Sequence, residues 1–288
     1  MVISIFDRKK DLSKKVIHDF GNEWASYNYL SDKSEAELDE QFEAYCKPLD
    51  LSKFNNKTSA AADFGAGSGR WCARMSKYFS KIYAIEPSNG ANIILEKKFA
   101  NDQKIEILKE TVESNSLSFE SLDLAFSLGV LHHIPNTSLA IKQISEKIKP
   151  GGYFLCYLYY KLDDKPQFYK LIFLLVNILR FGISKLPFVL KKYICNILAI
   201  LIYYPLARTS KLLKKLGVNI SNIPLHHYAD LSFEMMANDA LDRFGTKLEQ
   251  RFNKKEIIQM LSEANFDLET LTFSDSEPYW TFCIKKYS

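Results

Sequence analysis

The chain has 288 residues, 47% of them apolar and 25% charged, with a formal net charge of +4. This composition excludes a disordered chain and fits one α/β domain that carries an insertion. The five cysteines are scattered and show no metal-ligand spacing, so we expect reduced thiols and no metal site. The first 15 residues lack the apolar segment of a signal peptide, which predicts a cytoplasmic protein.

Residues 1–58 precede the first predicted strand and are interpreted as an N-terminal helical cap. Charged and apolar residues alternate at helical spacing around 38–45, which predicts one or two helices. The segment 20–27 stands out because it holds three aromatic side chains, among them Trp24 and Tyr27. These aromatics either pack on the edge of the domain or cover a bound ligand.

A glycine-rich turn follows the first predicted strand. Gly65, Gly67 and Gly69 remove the Cβ where the chain must turn tightly, and they let backbone N–H groups approach a ligand. Glu86 stands 17 positions after Gly69, at the end of the next predicted strand, where a carboxylate suits the two hydroxyls of a ribose. Dinucleotide-binding loops read GxGxxG, whereas this loop reads GxGxG. The pattern therefore predicts a site for a nucleoside without a pyrophosphate.

Strand-like and helix-like segments alternate through the core, which predicts a parallel sheet with helices on both faces. A helix with apolar residues from 139 to 148 is expected to end at the proline and glycines of 150–152. The C-terminal segments 268–273 and 279–285 are predicted to form a final hairpin. The other predicted strands are 59–64, 81–86, a short one at 105–107, 122–128 and 153–159.

Four strings in this order resemble the class I S-adenosylmethionine-dependent methyltransferases of the small-molecule type. They are the loop 63–70 with Glu86, KETVE at 109–113, SLGVLHHIP at 127–135 and KPGG at 149–152. The resemblance implies an α/β fold with a Rossmann-like seven-stranded sheet, mostly parallel with an antiparallel last strand, plus a helical insertion after strand five. It places the methyltransferase core at 59–160 and 236–288, and it implies S-adenosyl-L-methionine as the cofactor.

The resemblance also implies which residues contact the cofactor. Thr111 and Val112 match the positions that contact adenine, through a side chain and a backbone N–H. Class I enzymes often close their site with an N-terminal segment, which makes Trp24 and Tyr27 candidates for a lid. The full predicted cofactor set is Trp24, Asp63, Gly65, Ala66, Gly67, Gly69, Arg70, Glu86, Pro87, Thr111, Val112 and Leu128.

The insertion at 161–235 is the most unusual part of the chain. Residues 161–220 contain eleven Lys or Arg and two Asp, so this part carries +9. Apolar runs at 171–176 and 197–204 lie between the bases. A helix needs about 20 apolar residues to span a membrane. We expect neither run to span, because Arg180 interrupts the first and Pro205 follows the second.

Three interpretations of the insertion remain. It is a helical cap with solvated lysines, an acceptor lid or homodimer interface, or a basic amphipathic surface that contacts anionic lipid through 161–220. We rank the acceptor lid first and peripheral membrane contact second. Nucleic acid is not expected as a partner, because the bases alternate with apolar helices rather than with exposed aromatics. The loop after strand four also lacks the paired prolines of enzymes that methylate DNA bases.

The segment 235–252 is interpreted as a polar loop that resembles the acceptor side of many small-molecule methyltransferases. Its charged residues either pair with one another or bind the acceptor. Two tyrosines at the end of strand five could orient the same molecule. The predicted acceptor-binding residues are Tyr159, Tyr160, Asp239, Asp242, Arg243 and Arg251.

Methyl transfer from a sulfonium is an in-line displacement, so the enzyme mainly aligns the reacting atoms. His132 or His133, after strand four, is the candidate base that takes a proton from the acceptor. Alternatively, one of them caps the next helix and the other only lines the pocket.

The leading hypothesis is methyl transfer to a small or amphipathic acceptor, with oxygen favoured over nitrogen or carbon. Two alternatives are a membrane-surface-associated enzyme acting on a lipid-like or lipid-linked acceptor and a non-catalytic cofactor-binding partner subunit. Transfer of an aminopropyl group on the same fold is a third, but the histidines after strand four suit a polyamine poorly.

Overall fold

The computed structural model describes residues 5–26, 32–161, 166–221, 223–274 and 279–288. Seven strands in these ranges form one sheet, in the order β3-β2-β1-β4-β5-β7-β6. β1 to β5 pair in parallel, whereas β7 is antiparallel to both β5 and β6. The strands are β1 Ala60–Phe64, β2 Lys81–Ile85, β3 Ile105–Leu108, β4 Leu122–Leu128, β5 Ile148–Tyr159, β6 Phe266–Phe273 and β7 Tyr279–Lys286. The predicted sheet, with its antiparallel last strand, is confirmed.

Ten α-helices surround the sheet in the described ranges. Apolar side chains of α2, α3 and α4 pack on one face of the sheet, and those of α5 and α10 pack on the other. The helices are α1 Ile5–Ser26, α2 Asp32–Cys46, α3 Arg70–Met75, α4 Asn89–Lys98, α5 Thr137–Lys147, α6 Gln167–Ile183, α7 Phe188–Leu198, α8 Tyr204–Lys215, α9 Phe233–Gly245 and α10 Lys254–Glu263. The hairpin turn predicted between β6 and β7 lies outside the described residues.

The end of α5 differs from the prediction. The helix ends at Lys147, and Ile148 is already extended and paired with Leu122 of β4. Pro150 and Gly151 therefore lie inside β5, where a shift in register accommodates them. The proline and glycine pattern marked a real break in the helix, but the break comes at the strand pairing rather than at the proline.

The segment expected as a polar loop is also different, because most of it forms the helix α9. The Ser232 hydroxyl caps this helix by accepting a hydrogen bond from the Met235 N–H. Met236, Leu241 and Phe244 are buried in an apolar cluster with side chains of α7 and the following turn. The boundary expected between 235 and 236 therefore falls inside α9, which packs with the insertion.

The two apolar runs of the insertion are helical, and the second one continues through the proline. α7, a π-helical segment Ala199–Tyr203 and α8 follow one another without a break, so the helix continues past Pro205, the predicted limit of the second apolar run. A π turn widens the helix locally, and here it lies directly before the proline. Among the described residues, the helix Phe188–Lys215 alone is long and apolar enough to cross a membrane, by length and composition.

Candidate active site

A cavity of about 600 Å³ opens at the carboxyl ends of β1, β2 and β4. This is the edge at which open α/β sheets bind their ligands. The cap helix α1 and the insertion helices α6 and α8 supply further walls. The cavity therefore brings together three parts of the chain that are far apart in the sequence.

The glycine loop forms the floor of the cavity beside β1. The N–H groups of Gly65 and Ala66 donate to the Ile85 carbonyl of β2, which fixes the loop against the neighbouring strand. Gly65 has a φ of +92°, and a Cβ there would lie 2.5 Å from a Val130 methyl carbon. Only glycine combines this backbone conformation with this close approach.

Glu86 lies at the end of β2 with its carboxylate on the cavity. One carboxylate oxygen accepts the Gly67 N–H at 2.9 Å, and the other accepts the Ser88 N–H at 2.8 Å. Burial raises the pKa of Glu86, and the hydrogen bonds from Ser88 and Gly67 oppose that rise. A carboxylate oxygen has more than one acceptor site, so each can still accept a ribose hydroxyl. The oriented carboxylate fits the nucleoside part of S-adenosylmethionine.

The other residues predicted to hold the cofactor surround the same end of the cavity. Thr111 and Val112 lie after β3, and the Thr111 hydroxyl also accepts the Ser114 N–H at 3.1 Å. Most of the predicted set lines the cavity: Trp24, Gly65, Ala66, Arg70, Glu86, Pro87, Thr111, Val112 and Leu128.

The cap helix α1 lies against the glycine loop at the cofactor end of the cavity. The Trp24 ring lies over the loop, where a Cβ on Gly67 would come within 2.8 Å of it. The Arg70 guanidinium lies 5.2 Å from the centre of the Trp24 ring. Tyr27, the other lid candidate, lies outside the described residues. Trp24 and the glycine loop therefore form one packed unit.

Three residues of the predicted cofactor set belong to the loop but do not line the cavity: Asp63, Gly67 and Gly69. Gly67 donates to Glu86, and Gly69, with a φ of +70°, precedes the first turn of α3. Asp63 is fully buried, where its carboxylate accepts a hydrogen bond from the Cys72 thiol at 3.2 Å. Burial raises the pKa of Asp63 to about 7. Asp63 therefore does not line the cavity in this structure, and its predicted contact with the cofactor stays a prediction.

The raised pKa of Asp63 predicts a pH-dependent stability. The unfolded chain releases this proton near pH 4, whereas the folded chain keeps it up to about pH 7. Protonated Asp63 contributes its full stabilisation below about pH 4. Up to about 4 kcal/mol of this stabilisation is lost as the pH rises to 7. We expect Asp63→Asn to flatten the fall in melting temperature of the ligand-free protein between pH 5 and 8. Asp102→Asn, on a surface turn, should leave the wild-type slope unchanged.

The acceptor end of the cavity contains three connected polar side chains. The Tyr159 hydroxyl, at the end of β5, donates to Asp242 Oδ2 at 2.5 Å. Asp242 Oδ1 lies 3.3 Å from His133 Nε2, an ionic contact rather than a well-aligned hydrogen bond. His133 Nδ1 lies 2.7 Å from the Leu248 carbonyl and donates to it. Because that carbonyl can only accept, Nδ1 carries a proton and Nε2 faces the carboxylate.

The charge of Asp242 controls the protonation of His133. Burial lowers the pKa of His133, but the carboxylate of Asp242 outweighs it and holds the pKa above its usual value. Burial raises the pKa of Asp242, but His133 and the hydrogen bonds from Tyr159 and Thr246 hold it below its usual value. The Asp242 side chain is 18% exposed and that of His133 is 2% exposed. Asp242 is therefore the member of the pair that a ligand meets first.

His132 and Tyr160 do not line the cavity, so the structure gives no support for their predicted roles as base and acceptor contact, which stay predictions. The His132 ring is buried and stacks on the Tyr159 ring at 3.8 Å, and burial holds its pKa well below the usual value. Tyr160 follows Tyr159 in the chain, so its side chain points to the opposite face of the sheet. Its ring centre lies 5.1 Å from that of Trp280. Of the two predicted histidines only His133 lines the cavity, and of the two predicted tyrosines only Tyr159 does.

The remaining predicted acceptor residues, Asp239, Arg243 and Arg251, all line the cavity. Asp239 accepts a hydrogen bond from the Tyr228 hydroxyl at 2.9 Å, and burial raises its pKa to about 6. Arg251 donates to Glu249 at 2.7 Å and to the Tyr160 carbonyl at 3.0 Å. Arg251 therefore makes a structural ion pair and also lines the cavity, while its contact with the acceptor stays a prediction.

Several cavity residues were missed by sequence reasoning. Tyr157 lies on the same face of β5 as Tyr159, and its ring is 4.5 Å from that of Tyr279 and 5.2 Å from that of Tyr45. The alternation of β5 could have identified Tyr157, because it stands two positions before Tyr159. Tyr45 and Tyr279 come from α2 and β7, and no local signal connects them with the site.

The fold and the site together define an α/β protein that binds a nucleoside at a glycine loop. A family model described as a methyltransferase domain matches residues 62–156. Two curated relatives are similar in sequence. A sterol 4-C-methyltransferase of Caenorhabditis elegans is 26% identical over 105 residues, which are 35% of this chain and 31% of the relative. A ubiquinone biosynthesis O-methyltransferase of Brucella anthropi is 27% identical over 119 residues, which are 38% of this chain and 48% of the relative.

Two solved structures share the fold at low identity. A chain from the complex between the Haloferax volcanii Trm112 methyltransferase activator and a methyltransferase has a TM-score of 0.52, with 11% identity, and 93% of this chain and 98% of that one are covered. A protein of Bordetella parapertussis has a TM-score of 0.50 and 12% identity. The alignment covers 86% of this chain and 68% of that protein. This chain spans about a third to a half of the length of the two curated relatives. The resemblance to the class I S-adenosylmethionine-dependent methyltransferases is confirmed for the domain that includes residues 62–156, and S-adenosylmethionine is its cofactor.

Proposed function

We propose that this chain transfers a methyl group from S-adenosylmethionine to a hydroxyl of an acceptor with an apolar body. The observation that carries the proposal is the continuity of the cavity. One end is lined by Glu86 and Thr111 and the other by side chains of the insertion. Donor and acceptor can therefore meet inside one space, as an in-line displacement requires.

The insertion supplies an apolar wall, which supports its role as the acceptor lid. Six side chains of α6, α7 and the π-helical segment line this end of the cavity: Ile172, Phe173, Val176, Leu179, Leu198 and Ile202. Such a wall favours an acceptor that loses apolar surface to water when it binds. The polar groups lie at the other side, so the acceptor would present its reacting end to Asp242 and Tyr159.

The pair of Asp242 and His133 is suited to take up the proton of an acceptor hydroxyl. S-adenosylmethionine, when bound, supplies a methyl group on a positively charged sulfur. Tyr159 donates to Asp242 and so holds its carboxylate toward the cavity. A hydroxyl that approaches Asp242 can pass its proton to the pair, where His133 stabilises the transferred charge. This chemistry favours oxygen as the acceptor atom.

The names of the two curated relatives support the same class of reaction. One is an O-methyltransferase of ubiquinone biosynthesis, and the other is a sterol 4-C-methyltransferase. Sterols are predominantly apolar, in agreement with the apolar wall described above. The two names differ in the acceptor atom, so the preference for oxygen rests on the polar groups of this chain.

Isothermal titration of the protein with S-adenosylmethionine and S-adenosylhomocysteine tests the cofactor half of the proposal. We expect one site for each, and absence of binding would remove the proposal. Incubation with a carbon-13 methyl donor and cell extracts, split into aqueous and organic phases, tests the acceptor half. We expect the labelled product in the organic phase, with the chemical shift of a methyl group on oxygen. Cofactor binding without any labelled product would instead favour a non-catalytic partner subunit.

A further inference from the structure

The outer face of α6 is apolar and exposed. Leu171, Leu174, Leu175 and Ile178 recur at the spacing of one helical face, and each is more than half exposed. A helix on the surface of a soluble protein normally turns such a face toward the core. The inner face of α6 already places Phe173 and Val176 on the cavity. The helix is therefore apolar on two faces, and no described part of the domain covers the outer one.

The long helix made of α7, the π-helical segment and α8 has the same arrangement. Its inner side chains, such as Cys195, Ala199 and Ala207, are buried in the apolar cluster of the insertion. Its outer side chains include Tyr193 and Leu201, which are 66% and 68% exposed. The two helices together expose more apolar side chains than scattered single residues would, and exposed apolar patches mark interaction sites.

The charge of this region is one-sided. Between 166 and 221 the sequence contains nine Lys or Arg residues and no Asp or Glu. Some of these charges are engaged within the chain, as in the ion pair of Lys214 with Asp230. An apolar face flanked by basic residues is typical of helices that lie in the interface of an anionic membrane.

The mouth of the cavity lies on this same surface. Ile172, Leu179 and Ile202 line the cavity and are also 40%, 52% and 43% exposed. They come from α6 and from the π-helical segment, so the rim lies between the two apolar helices. A molecule that enters here passes over apolar side chains instead of through water.

We propose that the outer faces of α6 and of the α7–α8 helix dock on an anionic lipid bilayer, and that the acceptor is a membrane-resident lipid that enters through the rim. The acceptor half of this inference rests on the proposed function, whereas the docking half does not. The docking surface lies in the plane of the membrane, because the inner face of the long helix is held to the domain. Arg208 fixes it by donating to the carbonyls of Ala229 and Leu231.

A second copy of the chain fits this surface less well. A two-fold dimer places the same patch of each subunit against its twin. The exposed bases of this surface, such as Lys170, Lys185 and Lys215, would then face the same bases of the other copy, and like charges across an interface are costly. Anionic lipid headgroups supply the missing negative charge, and the acyl chains cover the apolar side chains.

Flotation with vesicles tests the docking half. We expect the full chain to float with phosphatidylglycerol and phosphatidylethanolamine vesicles at low salt and far less with phosphatidylcholine vesicles. The double variant Leu174→Asn and Leu201→Asn should lower the partition coefficient at least tenfold, because two large apolar side chains no longer enter the bilayer. The matched variant Ile93→Asn and Phe119→Asn changes two equally exposed side chains outside the insertion and should bind as the wild type does.

A polarity-sensitive fluorophore tests the position of the rim. The five native cysteines are buried, so a Leu179→Cys variant can be labelled at one site. Anionic vesicles should shift its emission to the blue, and a label at Ile93→Cys should not respond. Equal vesicle binding by both double variants, no flotation at low salt, or a dimer that the Leu174 and Leu201 variant dissolves would overturn docking. A silent Leu179 label on bound protein would overturn membrane entry. Titration with S-adenosylmethionine, expected to be unchanged in the two double variants, keeps these results separate from the cofactor proposal.

Discussion

Replacement of Glu86 with glutamine is expected to weaken S-adenosylmethionine binding about 10- to 100-fold. A hydrogen bond to a charged group contributes about 1.5–3 kcal/mol, and 1.4 kcal/mol corresponds to a factor of ten. Glutamine keeps one acceptor oxygen but turns an N–H₂ group toward either the backbone or the ribose. Since the Gly67 and Ser88 N–H groups already use both carboxylate oxygens, the amide cannot satisfy all of its partners. Isothermal titration measures the loss.

The matched control is Glu96→Gln on α4. The Glu96 side chain is 51% exposed and pairs with Lys109 at the surface, so its loss should not change the affinity for the cofactor. Thermal unfolding of the ligand-free variants separates loss of binding from loss of fold. If Glu86→Gln binds S-adenosylmethionine as tightly as the wild type, Glu86 does not hold the ribose and the assignment of the loop must change.

The donor half of the site could be predicted because its signals are local. The glycines stand directly after a buried strand, and Glu86 ends the next one, so topology alone brings them to one edge. The predicted bounds of β4, 122–128, agree with the structure for the same reason, since a mostly apolar segment with a leucine at each end marks a buried strand. Asp63 shows the limit of this reasoning. The motif places it at the loop, but the end of a buried strand can direct a side chain downward as well as outward.

The acceptor half could not be predicted to the same depth, because its contacts join distant segments. His132 and His133 are neighbours in a 3₁₀ turn, Leu131–His133, and only the positions of Asp242 and Leu248 distinguish them. The α9 segment was interpreted as a loop because its charged residues suggested exposure to water. Those charges face a cavity instead, so a polar sequence forms a buried helix. Tyr160, in contrast, could have been excluded by the alternation of the strand before it.

The π-helical segment explains a further difference between sequence and structure. Pro205 predicts the end of a helix when only the usual pattern of hydrogen bonds is considered. The wider turn before it preserves the helix, and the exposed run then extends from Val189 to Leu216. This continuity makes the apolar surface of the insertion larger than the two separate runs predicted. The same geometry brings Ile202 to the rim of the cavity.

Replacement of Asp242 with asparagine is expected to lower kcat about 100- to 10,000-fold with little change in cofactor affinity, because positioned proton transfer contributes a factor of this size. The acceptor identified by the labelling experiment serves as the substrate. The side chain volume is retained, and the Tyr159 hydroxyl keeps an oxygen to which it can donate. What is lost is the negative charge beside His133. Titration with S-adenosylmethionine measures the affinity independently of turnover.

The same substitution should move the titration of His133 in a known direction. In the wild type, Asp242 holds the pKa of His133 above its usual value, so kcat should rise with pH through that raised pKa. Without the carboxylate, burial alone acts and lowers the pKa. The acid limb of the residual activity should therefore move to lower pH. The ring signals of His133 in NMR spectra should show the same shift without any substrate.

The pKa shifts of His133 and Asp242 also predict how the stability of the fold depends on pH. The raised pKa of His133 stabilises the fold below about pH 6.5, and this stabilisation is lost as the pH rises through the folded pKa. The lowered pKa of Asp242 stabilises the fold above about pH 4, and this stabilisation is lost as the pH falls through its folded pKa. The pair therefore stabilises the fold most at mildly acid pH, and Asp242→Asn should lower the melting temperature most there.

Two variants keep the role of Asp242 separate from a general disturbance of the site. Tyr159→Phe removes the hydrogen bond to Asp242 but keeps the charge, so turnover should fall less and the acid limb should stay near its wild-type position. Asp267→Asn, on the distant strand β6, should change neither turnover nor the titration. If Asp242→Asn changes neither the acid limb of the kcat profile nor the titration of His133, the pair does not take up the proton of the acceptor hydroxyl. Asp239, which also lines the cavity, would then be the next group to replace.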